Sequence, residues 1–175
     1  MGELYSLLCA VVWAMAVIMF KRSGETLAPL TLNLFRIVVS CLLLVPTVLA
    51  AGDSLLRPAP WQDYAVLAGS GVLAIAVADT LFHRSLNIVG AGITAVVDCL
   101  YSPLVVLFAF LLIGERLSAA QLAGMILVVG GVLVASRHAP PPGVGRGELV
   151  RGVLIGAAGM AALSLGIVVA KPVLD

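Results

Sequence analysis

Charge is what this sequence has least of. Asp, Glu, Lys and Arg make up 11% of it, against 62% hydrophobic residues, and its mean hydropathy is +1.17. Roughly a quarter of a typical soluble domain is charged, so this composition excludes a water-soluble globule and points to a chain folded in lipid. The cations and anions leave a net charge of +1, with no basic run among them. That excludes an electrostatic surface for nucleic acid. Cysteine is scarce. Cys9, Cys41 and Cys99 each stand alone in an apolar stretch, without a CxxC pair or metal-ligand spacing, and read as small buried hydrophobes. Also missing are strand-like alternation and a glycine-rich phosphate loop behind a strand, so neither a cofactor nor a metal is implied. A cleavable leader is not read at the start. Glu3 precedes the first apolar run and Lys21-Arg22 follow it, the reverse of a signal peptide.

What fills the sequence instead is a series of apolar stretches, each close to the 20 or so residues that a helix needs to cross a bilayer. They lie near 4–20, 30–51, 62–83, 89–113, 119–137 and 150–170. The fold class expected is all-α: a polytopic helical membrane bundle of six transmembrane helices. Breakers separate the spans: Gly24 and Pro29, then Arg57-Pro58-Ala59-Pro60, and later the stiff spacer Pro140-Pro141-Pro142. Between the fourth and fifth spans only Gly114-Glu115-Arg116-Leu117-Ser118 intervenes, too short for anything but a tight hairpin. Gly114, Glu115 and Arg116 therefore read as a structural turn at the membrane surface.

Polar residues inside the spans are the candidates for function, because a charge in hydrocarbon is costly and needs a partner or water. In the second span Asn33, Arg36, Ser40 and Thr47 recur at helical spacing and form a stripe expected to face other helices or a water-filled cavity. The third span opens on Trp61 and Tyr64, an interfacial anchor, and ends in Asp79, Thr80, His83 and Arg84. His83 and Arg84 read as side chains reaching out to the interface. In the fourth span Thr94, Asp98 and Tyr101 share a face, and Pro103 frees the carbonyl of Cys99, which predicts a helix kink. Trp13 reads as packing on a neighbouring helix. The fifth span has small residues at Ala120, Gly124, Gly131 and Ala135, a spacing suited to helix packing. Gly152, Gly156, Gly159 and Gly166 lie on closely related faces of the sixth. Helical rise places Arg36, Asp79 and Asp98 in the same half of the bilayer. Arg36 is expected beside Asp98 or Asp79, with Asn33 and Tyr101 lining the same pocket, as an ion pair that ties helices or as one end of a substrate path.

The step Ser102-Pro103-Leu104, the turn Gly114-Glu115-Arg116-Leu117 and the glycines Gly124 and Gly130-Gly131 occur in the order seen in one transporter group. The chain resembles the EamA-type repeat of the drug/metabolite transporter superfamily, and Arg36 matches an arginine common early in that repeat's second helix. The resemblance implies a carrier or exporter of small metabolites, working by alternating access between two inverted five-helix repeats. It implies a first repeat over 1–138, a Pro/Gly-rich loop over 139–149, and the first helix of an incomplete second repeat over 150–175. The expected partners are the lipid bilayer of the cell membrane, a small-molecule substrate, and a second half or a second copy. The alternative is a non-transporting partner subunit or split half that needs its complement. The last four helices of the repeat are also similar to small multidrug resistance proteins, which carry an essential glutamate in their first helix, whereas the corresponding helix here, the second, carries Arg36 and no acid. That departure argues against proton-coupled export of cationic drugs and leaves a neutral, zwitterionic or anionic cargo open. An intramembrane aspartyl protease is a minor alternative, because Ala78-Asp79-Thr80 and Val97-Asp98-Cys99 do not match the flanking motifs of such enzymes. Orientation is contested. The resemblance implies a cytoplasmic N-terminus, whereas the positive-inside rule places more cations on the opposite face.

Overall fold

A computed structural model describes residues 2–52, 54, 55, 58–136 and 143–174, and every regular element among them is helical. These are α1 (Gly2–Ser23), α2 (Pro29–Ala50), α3 (Trp61–Asp98), α4 (Tyr101–Ile113), α5 (Ala119–Ser136) and α6 (Arg146–Leu174). Arg57 of the first proline linker, Arg137 at the expected end of the fifth span, the spacer Pro140-Pro141-Pro142 and Asp175 lie outside the described residues.

α3 departs from the sequence reading, which breaks it between residues 83 and 89. The helix continues through Val89 and reverses at Gly90, whose φ of 77° and ψ of 171° suit only a residue without a Cβ. Thr94 Oγ1 donates to the Gly90 carbonyl at 2.8 Å and satisfies a group that the corner would orphan. His83 and Arg84 mimic a helix end in the sequence, but only Arg84 is exposed. His83 is 1% exposed, inside the bundle rather than at an interface.

α6 occupies the centre. Its Gly152, Gly156, Gly159 and Gly166 are all buried against the first arm of α3, residues 61–89. A Cβ on Gly159 would meet the Ala78 carbonyl at 3.1 Å, and one on Gly166 would meet the Ser70 carbonyl at 2.9 Å. The sequence therefore lets two backbones touch, the arrangement that substitutes for a hydrophobic driving force between helices in lipid. These pairings run antiparallel. Residues 91–113 return along the other side of α6, where Ser164 Oγ donates to the Tyr101 carbonyl at 3.2 Å and Lys171 pairs with Glu115. Ser85 Oγ, fully buried, donates to the Gly152 carbonyl at 2.8 Å and fixes the axial register of α6 on α3. Val17, Phe82, Leu86 and Met160 form the apolar core where α1, α3 and α6 meet.

The helix is interrupted at Cys99 and Leu100, one turn before Pro103, which thus sits in the first turn of α4 where no amide donor is required. α4 ends in a π turn over Ala109–Ile113, closed by Gly114 at φ 75° and by the Glu115 amide donating back to the Ala109 carbonyl. Ser118 and Gln121 then bond each other's backbone amides, a capping box that starts α5.

One expectation fails on the outer surface: Cys9, Cys41 and Cys99 are exposed, not buried. On α5, Gly124 borders a cleft shared with Ser102, Pro103 and Val106 of α4, and a Cβ on Gly124, Gly130 or Gly131 would meet nothing within 4 Å among the described residues. Apolar character predicts burial only where the alternative is water. α1 and α2 likewise turn Leu7, Met19, Leu42 and Leu43 outward, as surfaces suited to lipid.

Candidate functional site

The polar centre begins with an irregularity in α3 that the sequence does not announce. Over Val72–Val77 the helix widens into a π turn, a form that shifts bonding from i+4 to i+5 and recurs at functional sites. Asn33 of α2, 1% exposed, meets the widened turn. Its Nδ2 lies 2.9 Å from the Ile75 carbonyl, 3.3 Å from that of Ala76 and 3.1 Å from Thr80 Oγ1. Its Oδ1 accepts from Arg36 Nη2 at 3.3 Å, one helical turn further along α2.

The same Arg36 nitrogen forms a salt bridge with Asp79 Oδ2, the two side chains being 25% and 19% exposed. The guanidinium also stands 5.9 Å from the centre of the Phe20 ring, within cation–π range. The chain of contacts thus runs from the π turn through Asn33 and Arg36 to Asp79, joining α2 to α3. The other half of the stripe does not take part. Ser40 and Thr47 are exposed, and the Thr47 hydroxyl donates to its own helix at the Leu43 carbonyl. His83 lies close by, its ring edge-on to Phe20 at 5.0 Å and to Phe82 at 5.5 Å, with neither nitrogen hydrogen-bonded among the described residues.

Asp98 takes no part in the Arg36 pair. It is the last residue of α3, and its Oδ1 is buried without a hydrogen-bond partner among the described residues. With Asp79 and Tyr101 it lines a partly open cavity of about 250 Å³ between α1, α3, α4 and α6. Trp13 and Phe82 face the same space, their ring centres 6.1 Å apart, and Met160, Leu163 and Ile167 of α6 form its floor. Trp13 thus both packs on a neighbouring helix and borders the opening. The sequence reading brings Asn33, Arg36, Asp79, Asp98 and Tyr101 into one pocket. The structure divides them into a polar tie of Asn33, Arg36 and Asp79 and a cavity of Asp79, Asp98 and Tyr101, with Asp79 common to both.

Missed entirely in the sequence is Asn87. Its Nδ2 donates to the Gly24 carbonyl at 3.1 Å, its own carbonyl accepts from Lys21 Nζ at 3.0 Å, and a Cβ on Gly24 would collide with its amide. It anchors the α1–α2 turn beside the Gly90 corner, and an asparagine three residues before a glycine in an apolar run is the signal that was there to read. No cluster of three metal-ligating side chains occurs among the described residues.

Residues 1–137 match the family model described as the EamA-like transporter family. No curated protein and no solved structure matches the chain.

Proposed function

The chain belongs to the EamA-like transporter family, and from that membership we propose that it is a carrier or exporter that moves a small metabolite across the cell membrane by alternating access. The observation that carries the reading is the cavity of about 250 Å³ bounded by Trp13, Asp98 and Tyr101, set against the Arg36–Asp79 pair inside an otherwise apolar bundle. Polar groups that converge on a pocket at membrane depth mark a substrate path in such folds. Six spans make up the bundle, with 1–138 as the first inverted repeat and α6 as the first helix of the second. The reach of the family match to residue 137 supports that division. A second half or a second copy completes the path, and the exposed Ala120 and Gly131 of α5 support such pairing. Catalysis has no place in this reading.

Counterflow in liposomes tests it. The reconstituted chain, alone or with a complementary half, should exchange internal for external metabolite saturably, and Asp98→Asn should abolish that exchange while the protein stays folded. Failure of both preparations across a broad metabolite set would sink the carrier reading in favour of a non-transporting partner.

A further inference from the structure

Resting on the transport reading, we propose that the cavity between α1, α3, α4 and α6 is built for a small organic cation: an ammonium group on an apolar body. The first argument is the charge inventory. Among the described residues, Asp79 and Asp98 are the charged ones that line the cavity, and no Lys, Arg or His joins them there. Asp79 is already matched by Arg36. Asp98 has no hydrogen bond or ion pair among the described residues, and one of its oxygens is buried. An unpaired carboxylate in an apolar bundle is costly, and a cation in the cavity offsets that cost.

The second argument is the wall. Trp13, Phe82 and Tyr101 border the same space as Asp98, and aromatic rings attract ammonium groups through their quadrupoles, most strongly where water is excluded. Aromatic rings beside a carboxylate form a receptor for a positive head group. An acid, by contrast, would meet two carboxylates and no cationic partner of its own, since Arg36 is taken. The anionic and zwitterionic cargoes that the sequence leaves open therefore lose their warrant, because the arginine suggesting them is neutralised by Asp79 and does not line the cavity.

The third argument is size. Benzene occupies an engineered cavity of about 150 Å³. Scaling by atoms, the roughly 250 Å³ here accepts a body of about ten non-hydrogen atoms. Met160, Leu163 and Ile167 give that body an apolar bed.

The test uses three probes of similar size and different charge: benzyltrimethylammonium, 3-phenylpropan-1-ol and 3-phenylpropanoate. Binding to the full chain in micelles is read by titration calorimetry. The ammonium should bind about tenfold or more tightly than either other probe. Asp98→Asn should erase that preference. Should this variant fail to fold, Trp13→Leu decides, weakening the ammonium several-fold and the alcohol hardly at all. Equal binding of the three probes, binding of none, or an unchanged preference in folded Asp98→Asn overturns the proposal. Flux of the same probes in liposomes separates it from the carrier reading. Selective binding without flux leaves a cation site and removes the transporter, whereas flux of the alcohol or the acid but not the ammonium keeps the transporter and removes the cation site.

Discussion

Arg36 brings a full positive charge into an apolar bundle, and Asp79 and Asn33 are what make that tolerable. Removing one member of such a pair leaves the other charge uncompensated, at a cost of about 3–5 kcal/mol when the pair is buried, whereas replacing both by apolar residues costs far less. Partial exposure here argues for the lower end of that range. Asp79→Asn and Arg36→Gln should therefore each lower stability by about 3 kcal/mol in a micelle unfolding assay, and Arg36→Met with Asp79→Leu should recover most of the loss. Equal damage from the single and double changes would show that the charges do not act as a pair. Asn33→Leu should cost about 1–3 kcal/mol, because it strips the Ile75 carbonyl of the π turn of its side-chain donor and leaves the Ala76 carbonyl with Thr80 Oγ1 alone. Charges were the legible part of the site, since a lone arginine in a span has to find a carboxylate, and the sequence offered two. Which one it meets was not legible. The partner is Asp79, on the arm of α3 that α2 packs against through Asn33, whereas Asp98 lies beyond the Gly90 corner. Nothing local in the sequence showed that His83 is held between the rings of Phe20 and Phe82, since Phe20 comes from a helix more than sixty residues away.

Among the elements, glycines divide into two classes that look alike in the sequence. Gly159 and Gly166 of α6 face a neighbouring backbone, whereas a Cβ on Gly130 or Gly131 of α5 would meet open space among the described residues. Gly159→Leu should accordingly disrupt the fold, read as a loss of monodisperse protein on size-exclusion chromatography in detergent, while Gly131→Leu should leave the isolated chain's fold intact. The opposite ranking would refute the central position of α6. The existence of each span was legible from its length and apolarity. The irregularities were not. Val72–Val77 reads VLAIAV, which favours no departure from an ordinary helix, and its π turn is recognisable only through Asn33 bonding it from another element. Gly90 is one glycine among many, and its corner conformation comes from the packing of both arms on α6.

For the molecule as a whole, the ends of the helices report the topology. α1 ends at Gly24 beside Asn87, close to the Gly90 corner, and α6 begins its packing at Gly152 beside Val89, close to the same corner. The N-terminus of α1 and the C-terminus of α6 therefore point to the opposite face together. Reporters fused before Met1 and after Asp175 should give the same sidedness in cells, and they read at the same time which face is cytoplasmic. Opposite sidedness would rule out an even number of spans. The corner has a mechanical meaning as well. Asp79 lies eleven residues before Gly90 and Asp98 eight after it, so the two carboxylates ride on levers of about 16 and 12 Å that share one fulcrum. A change of about ten degrees at that single joint would carry either carboxylate some 2–3 Å, an ångström-scale adjustment of the gap between them made by two backbone torsions.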